Sequence, residues 1–157
     1  MIRPATDQDV PAIAALWNHM IRETSHTFTT VERSVPEVAN LISAQQTCLV
    51  LEQAGHVGGF ARFGPFRPGP GYRFTAEHSI ILSETAQGDG QGRELMRGLC
   101  DLARQQGLQT LIGAISGENL GAIAFHRAIG FEKVAVLSQV GFKFGRRIDL
   151  VLMQKML

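Results

Sequence analysis

Several residue classes that mark whole families of proteins are scarce in this chain. Only two cysteines occur, Cys48 and Cys100, at no spacing that suits a metal or a redox pair. That excludes a disulfide scaffold and a zinc ribbon. Both are expected as buried thiols, Cys48 in an apolar strand-like run and Cys100 on a helix. The five histidines, His19, His26, His56, His78 and His126, also show no ligand spacing, so no metal is expected. No apolar run approaches the roughly 20 residues that span a bilayer. The start, Met1-Ile2-Arg3-Pro4, lacks the apolar segment of a signal peptide. A cytoplasmic protein without a membrane partner is the expectation. An excess of charge is missing too: 15 Lys and Arg against 14 Asp and Glu leave a net charge of +1. Such a chain has no sequence-wide attraction for nucleic acid or an acidic membrane, so an anionic ligand must be held by local groups. There is no repeat, low-complexity segment or linker.

What is present suits one folded domain, residues 1–157. The hydrophobic share of 45% over 157 residues supports a single continuous core. Thr6-Asp7-Gln8-Asp9 reads as a capping box ahead of a helix to about Arg22, with Val10, Ile13, Ala14, Trp17 and Ile21 on one face. A short helix is predicted from Ser34 or Val35 through Ile42. Thr47–Glu52 and Val57–Phe63 read as a hairpin around Ala54-Gly55. A glycine- and proline-rich loop, Gly64–Gly71, precedes the longest predicted strand, Tyr72–Leu82. A helix carrying Leu95, Met96, Leu99, Leu102 and Ala103 ends at Gly107. Thr110–Ile115 is a strand, Asn119–Ile129 a helix closed by Gly130, and Phe131–Val140 and Arg147–Met153 the last strands. This order predicts an α/β (α+β) domain, a mixed and mostly antiparallel sheet of about seven strands flanked by about four helices.

The informative segment runs from Glu77 to Met96. A long strand leads into Gln87-Gly88-Asp89-Gly90-Gln91-Gly92, which opens a helix. Glycines let a phosphate approach the backbone, while N–H groups and the helix dipole supply the attraction. A P-loop would need Lys and then Ser or Thr after the last glycine, where Arg93-Glu94 stands. A dinucleotide fingerprint belongs after the first strand of a βαβ unit, not in mid-chain. A tight glycine turn without a ligand is the remaining alternative.

Gln87, Gly90 and Gly92 fill the Gln-x-x-Gly-x-Gly form of the acetyl-CoA loop, and here the sequence resembles the GNAT superfamily of acetyltransferases. Within it, Thr75-Ala76-Glu77-His78-Ser79-Ile80-Ile81-Leu82 is similar to the strand before the loop in phosphinothricin and methionine sulfoximine acetyltransferases. Asn119 through Phe131 resembles their Asn-x-x-Ser/Ala-x-x-x-His-x-x-x-Gly-Phe/Tyr segment. Val140 through Arg146, followed by Asp149, resembles their C-terminal hairpin. The resemblance covers nearly the whole chain and implies the GNAT fold and acetyl-CoA as co-substrate.

It also implies roles. An ammonium has no lone pair to attack a thioester, so a carboxylate that removes its proton is needed, and Glu77 is the candidate base. His126 is the candidate acid for the leaving thiolate. Ile80, Ile81 and Leu82 would offer backbone groups to the pantetheine arm. Gln87, Gly88, Asp89, Gly90, Gln91, Gly92 and Arg93 would hold the pyrophosphate, although relatives usually carry a basic residue where Asp89 stands. Asn119 would contact the cofactor or cap its helix. For the acceptor, Arg67 and Pro68 lie in the loop before the long strand, where an arginine suits a carboxylate; Arg73 and Lys143 are further candidates. His78, Phe28 and Glu32 complete the expected pocket.

The function implied is transfer of acetyl to the α-amino group of a small amino-acid-like substrate by direct transfer in a ternary complex, in a homodimer. Neither cysteine lies in the matched segments, so no acyl-enzyme is expected. Two alternatives stay open: another amine acceptor (polyamine, aminoglycoside or protein N-terminus) and a non-catalytic acyl-CoA-binding sensor.

Overall fold

A computed structural model describes residues 1–43 and 46–157. Its elements are β1 (Ile2–Pro4), α1 (Val10–Glu23), α2 (Val35–Ser43), β2 (Cys48–Gln53), β3 (His56–Pro65), β4 (Thr75–Leu82), α3 (Gln91–Gln105), β5 (Thr110–Ser116), α4 (Leu120–Ala128), β6 (Glu132–Lys143) and β7 (Arg146–Met156). The strands form one seven-stranded sheet in the order β1-β2-β3-β4-β5-β7-β6. Every neighbouring pair is antiparallel except β4 and β5. Parallel neighbours need a crossover, and α3 is that crossover.

Both sheet faces are covered over β2–β4. The stripe predicted for α1 (Val10, Ile13, Ala14, Trp17, Ile21) and Val38 and Ile42 of α2 pack on Cys48, Val50, Phe60 and Ile81. On the other face Leu95, Met96, Leu99 and Ala103 of α3 pack on Leu49, Leu51, Ala61, Phe63, Ala76 and Leu111. Leu95 and Leu99 are 0% exposed, and full burial of such a side chain contributes about 1.5–3 kcal/mol. Two-sided cover explains why β2 is apolar from Cys48 through Leu51 instead of alternating. Cys48 and Cys100 are buried free thiols.

The capping box forms: the Asp9 carboxylate accepts from the Thr6 N–H at 2.8 Å and from its hydroxyl at 2.9 Å. A 3-10 turn over Asp7–Asp9 precedes α1. Arg3 also grips Asp9, and that pairing holds its carboxyl down at about 2. The largest departures from expectation are at the start of β4 and in the last hairpin. β4 begins at Thr75 rather than Tyr72, because Gly69, with φ of +101°, and Pro70 start a 3-10 turn through Tyr72. The last hairpin is longer than expected and turns at Phe144-Gly145, both left-handed, the geometry of a two-residue type I′ turn.

Candidate active site

β4 and β5 pair only from Thr75↔Thr110 to His78↔Gly113, although β4 continues to Leu82 and β5 to Ser116. The carboxyl ends of two adjacent parallel strands therefore diverge into a wedge, the place where open α/β sheets bind ligands. β3 stays paired with β4 as far as Gly59↔Leu82. The backbone groups of Ser79–Leu82 on the β5 side thus lack a strand partner and offer hydrogen bonds to an extended ligand. Ile80, Ile81 and Leu82 lie on this edge.

The glycine loop closes one end of the wedge. Gly90 precedes α3 with φ of +76°, a left-handed conformation that a side chain disfavours. Around Gly88 and Gly90 nothing lies within 4 Å of where a Cβ would stand. A Cβ on Gly92 would come within 3.0 Å of Leu82 Cδ1 and 3.4 Å of the Phe125 ring, so this glycine lets α3 start tight against β4 and α4. Gln87 Nε2 donates to the Leu82 carbonyl at 3.4 Å, tying the loop to the end of β4. Asp89 is exposed. An open cradle of glycines at the N-terminus of a 15-residue helix, with Arg93 in its first turn, fits a pyrophosphate.

Glu77 sits at the throat of the wedge, one residue before pairing to β5 ends. It shares the α1/α2 face with Ser79 and Ile81, since side chains alternate along a strand. No cation or hydrogen-bond donor engages its carboxylate among the described residues. Although the residue reaches solvent, the surrounding sheet withholds enough water to push its carboxyl above the usual range. An uncommitted carboxylate with raised basicity suits proton removal.

His78 points to the opposite face, where it is 6% exposed. Its Nδ1 lies 3.0 Å from the Ile112 carbonyl, its Nε2 2.9 Å from His126 Nε2, and His126 Nδ1 lies 2.7 Å from the Ala122 carbonyl. Carbonyls only accept, so both Nδ1 atoms carry the proton. Two neutral rings then turn bare Nε2 lone pairs at each other, and that contact becomes a hydrogen bond only with one extra proton. Burial opposes that proton and lowers both pKa values, with the neighbouring ring adding to the effect on His78. His78 is therefore placed away from the face that carries Glu77, and His126 has both nitrogens committed within the protein.

Asn119 caps α4: its Oδ1 accepts from the Ala122 N–H at 3.1 Å, while its side-chain nitrogen has no partner among the described residues. Arg67 and Pro68 line a cavity with Phe63, Tyr72, Arg73 and Gln106, near the end of α3 far from the glycine loop. Glu32 is held by Arg22 at 2.7 Å on the surface. Phe28 lies flat on Gly141, where a Cβ would come within 2.4 Å of its ring.

Lys143 is not available to a substrate. It is 2% exposed, and its Nζ donates to the Ile21 carbonyl at 2.6 Å and the Thr27 carbonyl at 3.0 Å. Ile21 lies in the last turn of α1, whose carbonyls have no intrahelical partner and attract a cation. This clamp was invisible to sequence reasoning, as was the placement of Arg62 and Arg33 on the Glu77 side of the sheet. An arginine inside the apolar run Phe60-Ala61-Arg62-Phe63 was the only available signal. Among the described residues no group of three or more His, Cys, Asp or Glu converges as for a metal, and no helix is long and apolar enough to cross a membrane.

A wedge between parallel strands has an open glycine cradle at one end and an unpaired carboxylate at its throat, an arrangement that an extended, pyrophosphate-bearing ligand would fit. A family model described as an acetyltransferase (GNAT) domain matches residues 2–152, and the chain belongs to that family of acetyl-transferring enzymes. It is 37% identical, over 98% of its length and 92% of the relative's, to an L-methionine sulfoximine/L-methionine sulfone acetyltransferase of Pseudomonas aeruginosa. A phosphinothricin acetyltransferase from Sinorhizobium meliloti, solved in complex with acetyl-CoA, superposes with a TM-score of 0.93 at 32% identity, over 100% of this chain and 88% of that one. A ribosomal-protein-alanine N-acetyltransferase from Brucella melitensis gives 0.95 at 37% identity, over 100% and 99% of the two chains. Family membership makes the chain an enzyme, which removes the non-catalytic sensor left open above.

Proposed function

We propose that the protein transfers acetyl from acetyl-CoA to the α-amino group of a small amino-acid-like acceptor, of the methionine sulfoximine or phosphinothricin type, in a ternary complex in the cytoplasm. The observation that carries this reading is Glu77: an unpaired carboxylate of raised pKa where the wedge opens. Bound acetyl-CoA supplies the activated acyl thioester. Gln87–Arg93 hold its pyrophosphate, the free edge of Ile80–Leu82 aligns its arm, and Asn119 reaches it from the start of α4. Glu77 takes the proton of the acceptor ammonium, directly or through one water, so that the amine lone pair can attack. His126 stands on the other side of the sheet, and proton delivery from it requires the pair with His78 to hold its extra proton. Phe28 and Glu32 shape the acceptor side, while Arg67 and Pro68 line a separate cavity at the other end of β4.

The test is release of free thiol from acetyl-CoA with a panel of L-methionine sulfoximine, phosphinothricin, common amino acids, polyamines, an aminoglycoside and an alanine-led peptide. Release confined to the amino-acid-like compounds supports the proposal. Release confined to a polyamine, aminoglycoside or peptide overturns the acceptor class while keeping the chemistry.

The reading includes a homodimer. On the edge strand β6, Val134, Val136, Val140 and Phe142 are 52%, 48%, 59% and 64% exposed, apolar surface of the kind partners cover. Light scattering should give about twice the 17.1 kDa chain mass, and Phe142→Glu should move it toward the single-chain value.

A further inference from the structure

Arg62 is anomalous. It lies on β3 opposite Cys48 and Ser79, on the sheet face that carries Glu77, and it is only partly exposed. Its Nε is buried without a hydrogen-bond partner, and so is the Nε of Arg33. Neither guanidinium makes an ion pair among the described residues, whereas Arg3, Arg22, Arg97, Arg104 and Arg146 each find a carboxylate. Both unpaired groups instead share one indole, with their central carbons 4.4 Å (Arg33) and 5.9 Å (Arg62) from the Trp17 ring centroid.

This convergence is built. Asn18, next to Trp17, receives the Arg33 N–H at 2.8 Å and donates to the Arg33 carbonyl at 2.9 Å, fixing the start of that side chain. The Arg62 guanidinium folds back over Gly64, where a Cβ would meet Nη2 at 3.1 Å. Gly64 pairs directly with Glu77 across the sheet, so Arg62 folds over the strand position next to the proposed base and on the same sheet face. Cys48, the acid nearest Arg62, has its thiol pushed up to about 12 by burial and stays neutral. Two like charges are thus gathered on an aromatic floor with no ion-paired carboxylate among the described residues, an arrangement that a bound anion would stabilise.

We propose that Arg62 and Arg33 form an oxyanion clamp for the acceptor, binding its carboxylate or phosphinate while the amine faces Glu77. This rests on the acceptor reading above and makes Arg62, rather than Arg67 in its separate cavity, the main determinant of the preference for anionic amines. Planar guanidiniums suit a two-oxygen anion, which a lysine ammonium matches less well.

The experiment compares the wild type with Arg62→Gln, Arg62→Lys and Arg33→Gln, each first checked for an unchanged melting profile. Thiol release is measured with L-methionine sulfoximine, its carboxamide and phosphinothricin. For Arg62→Gln, KM for the free acids should rise about 30-fold or more, as for loss of one partner of a desolvated charge pair, while KM for the carboxamide and for acetyl-CoA stays put. Arg62→Lys should recover part of the loss. A larger effect on phosphinothricin than on methionine sulfoximine would assign the clamp to the phosphinate, and equal effects to the carboxylate common to both. An unchanged acid-to-amide preference in Arg62→Gln and Arg33→Gln overturns the proposal. Should the wild type acetylate no amino acid, calorimetric titration with N-acetyl-L-methionine in the presence of CoA still decides: binding lost in Arg62→Gln supports the clamp, and equal or absent binding refutes it.

Discussion

Replacing Glu77 with glutamine keeps the shape of the side chain and removes only its capacity to take a proton. Because no donor or cation among the described residues engages the carboxylate, the substitution orphans no partner there, and the fold should melt as the wild type does. The chemical loss is bounded by two quantities. Base catalysis by a positioned side chain contributes about 10²–10⁴-fold. A peptide α-amino group, titrating near ~8, is about one-tenth neutral at pH 7, whereas a lysine-like amine near ~10.4 is neutral in only about one molecule in a few thousand; a free amino acid lies between them, because its own carboxylate stabilises the ammonium. With such an acceptor, kcat/KM at pH 7 should therefore fall about 10²–10³-fold, or about 2.7–4 kcal/mol of lost transition-state stabilisation. The pH profile carries the sharper signature. In the wild type, activity falls as pH drops through the raised Glu77 value and the carboxylate is protonated. In Glu77→Gln that limb disappears, and the rate climbs with pH until the free amine itself is deprotonated. Thiol release followed from pH 5 to 10, with acetyl-CoA affinity measured separately by calorimetry, checks both. A variant that keeps its acidic limb, or stays within a few-fold of wild-type kcat/KM at pH 7, refutes the assignment of Glu77 as base.

Other consequences follow from buried polar groups. The lowered pKa of His78 and His126 means that the unfolded chain binds more protons than the folded one below the ordinary histidine value near ~6.5. Stability should fall as pH drops through that window, by up to about 1.4 kcal/mol per pH unit for each proton involved; His78→Gln should flatten the slope in chemical denaturation, and an unchanged slope would place the titration elsewhere. Lys143→Met leaves the Ile21 and Thr27 carbonyls without their donor, costing about 1–3 kcal/mol. Limited proteolysis should then cut between residues 24 and 34, and KM for the acceptor should rise because Phe28 is carried by the loosened segment.

Much of the fold was legible because its signals are local. The stripe from Val10 to Ile21, the capping box at Thr6–Asp9 and the loop ahead of α3 depend on neighbours a few residues apart, and the structure places each where the pattern does. The boundaries that differed depend on partners distant in sequence. β6 extends to Lys143 because β7 pairs with it to the end, and β4 starts late because Gly69 and Pro70 turn the chain first. The candidate site divides the same way. The glycine loop and Glu77 could be read from one continuous stretch. The opposed histidines, the Lys143 clamp and the two arginines on Trp17 could not, since each joins residues from separate elements.

By itself the sequence determined the order of elements, a mixed sheet flanked by helices, the phosphate-ready helix start and a family resemblance running nearly end to end. Those properties are written in periodicity and in residue types that only certain backbone conformations accept. Tertiary structure alone decided that β4 and β5 separate after His78, that Glu77 faces one side while His78 meets His126 on the other, and that Arg62 and Arg33 converge with no ion-paired carboxylate among the described residues. The strand pattern assigns alternate residues to alternate faces, but which face meets the acceptor, and which charges find partners there, is set by how distant elements pack.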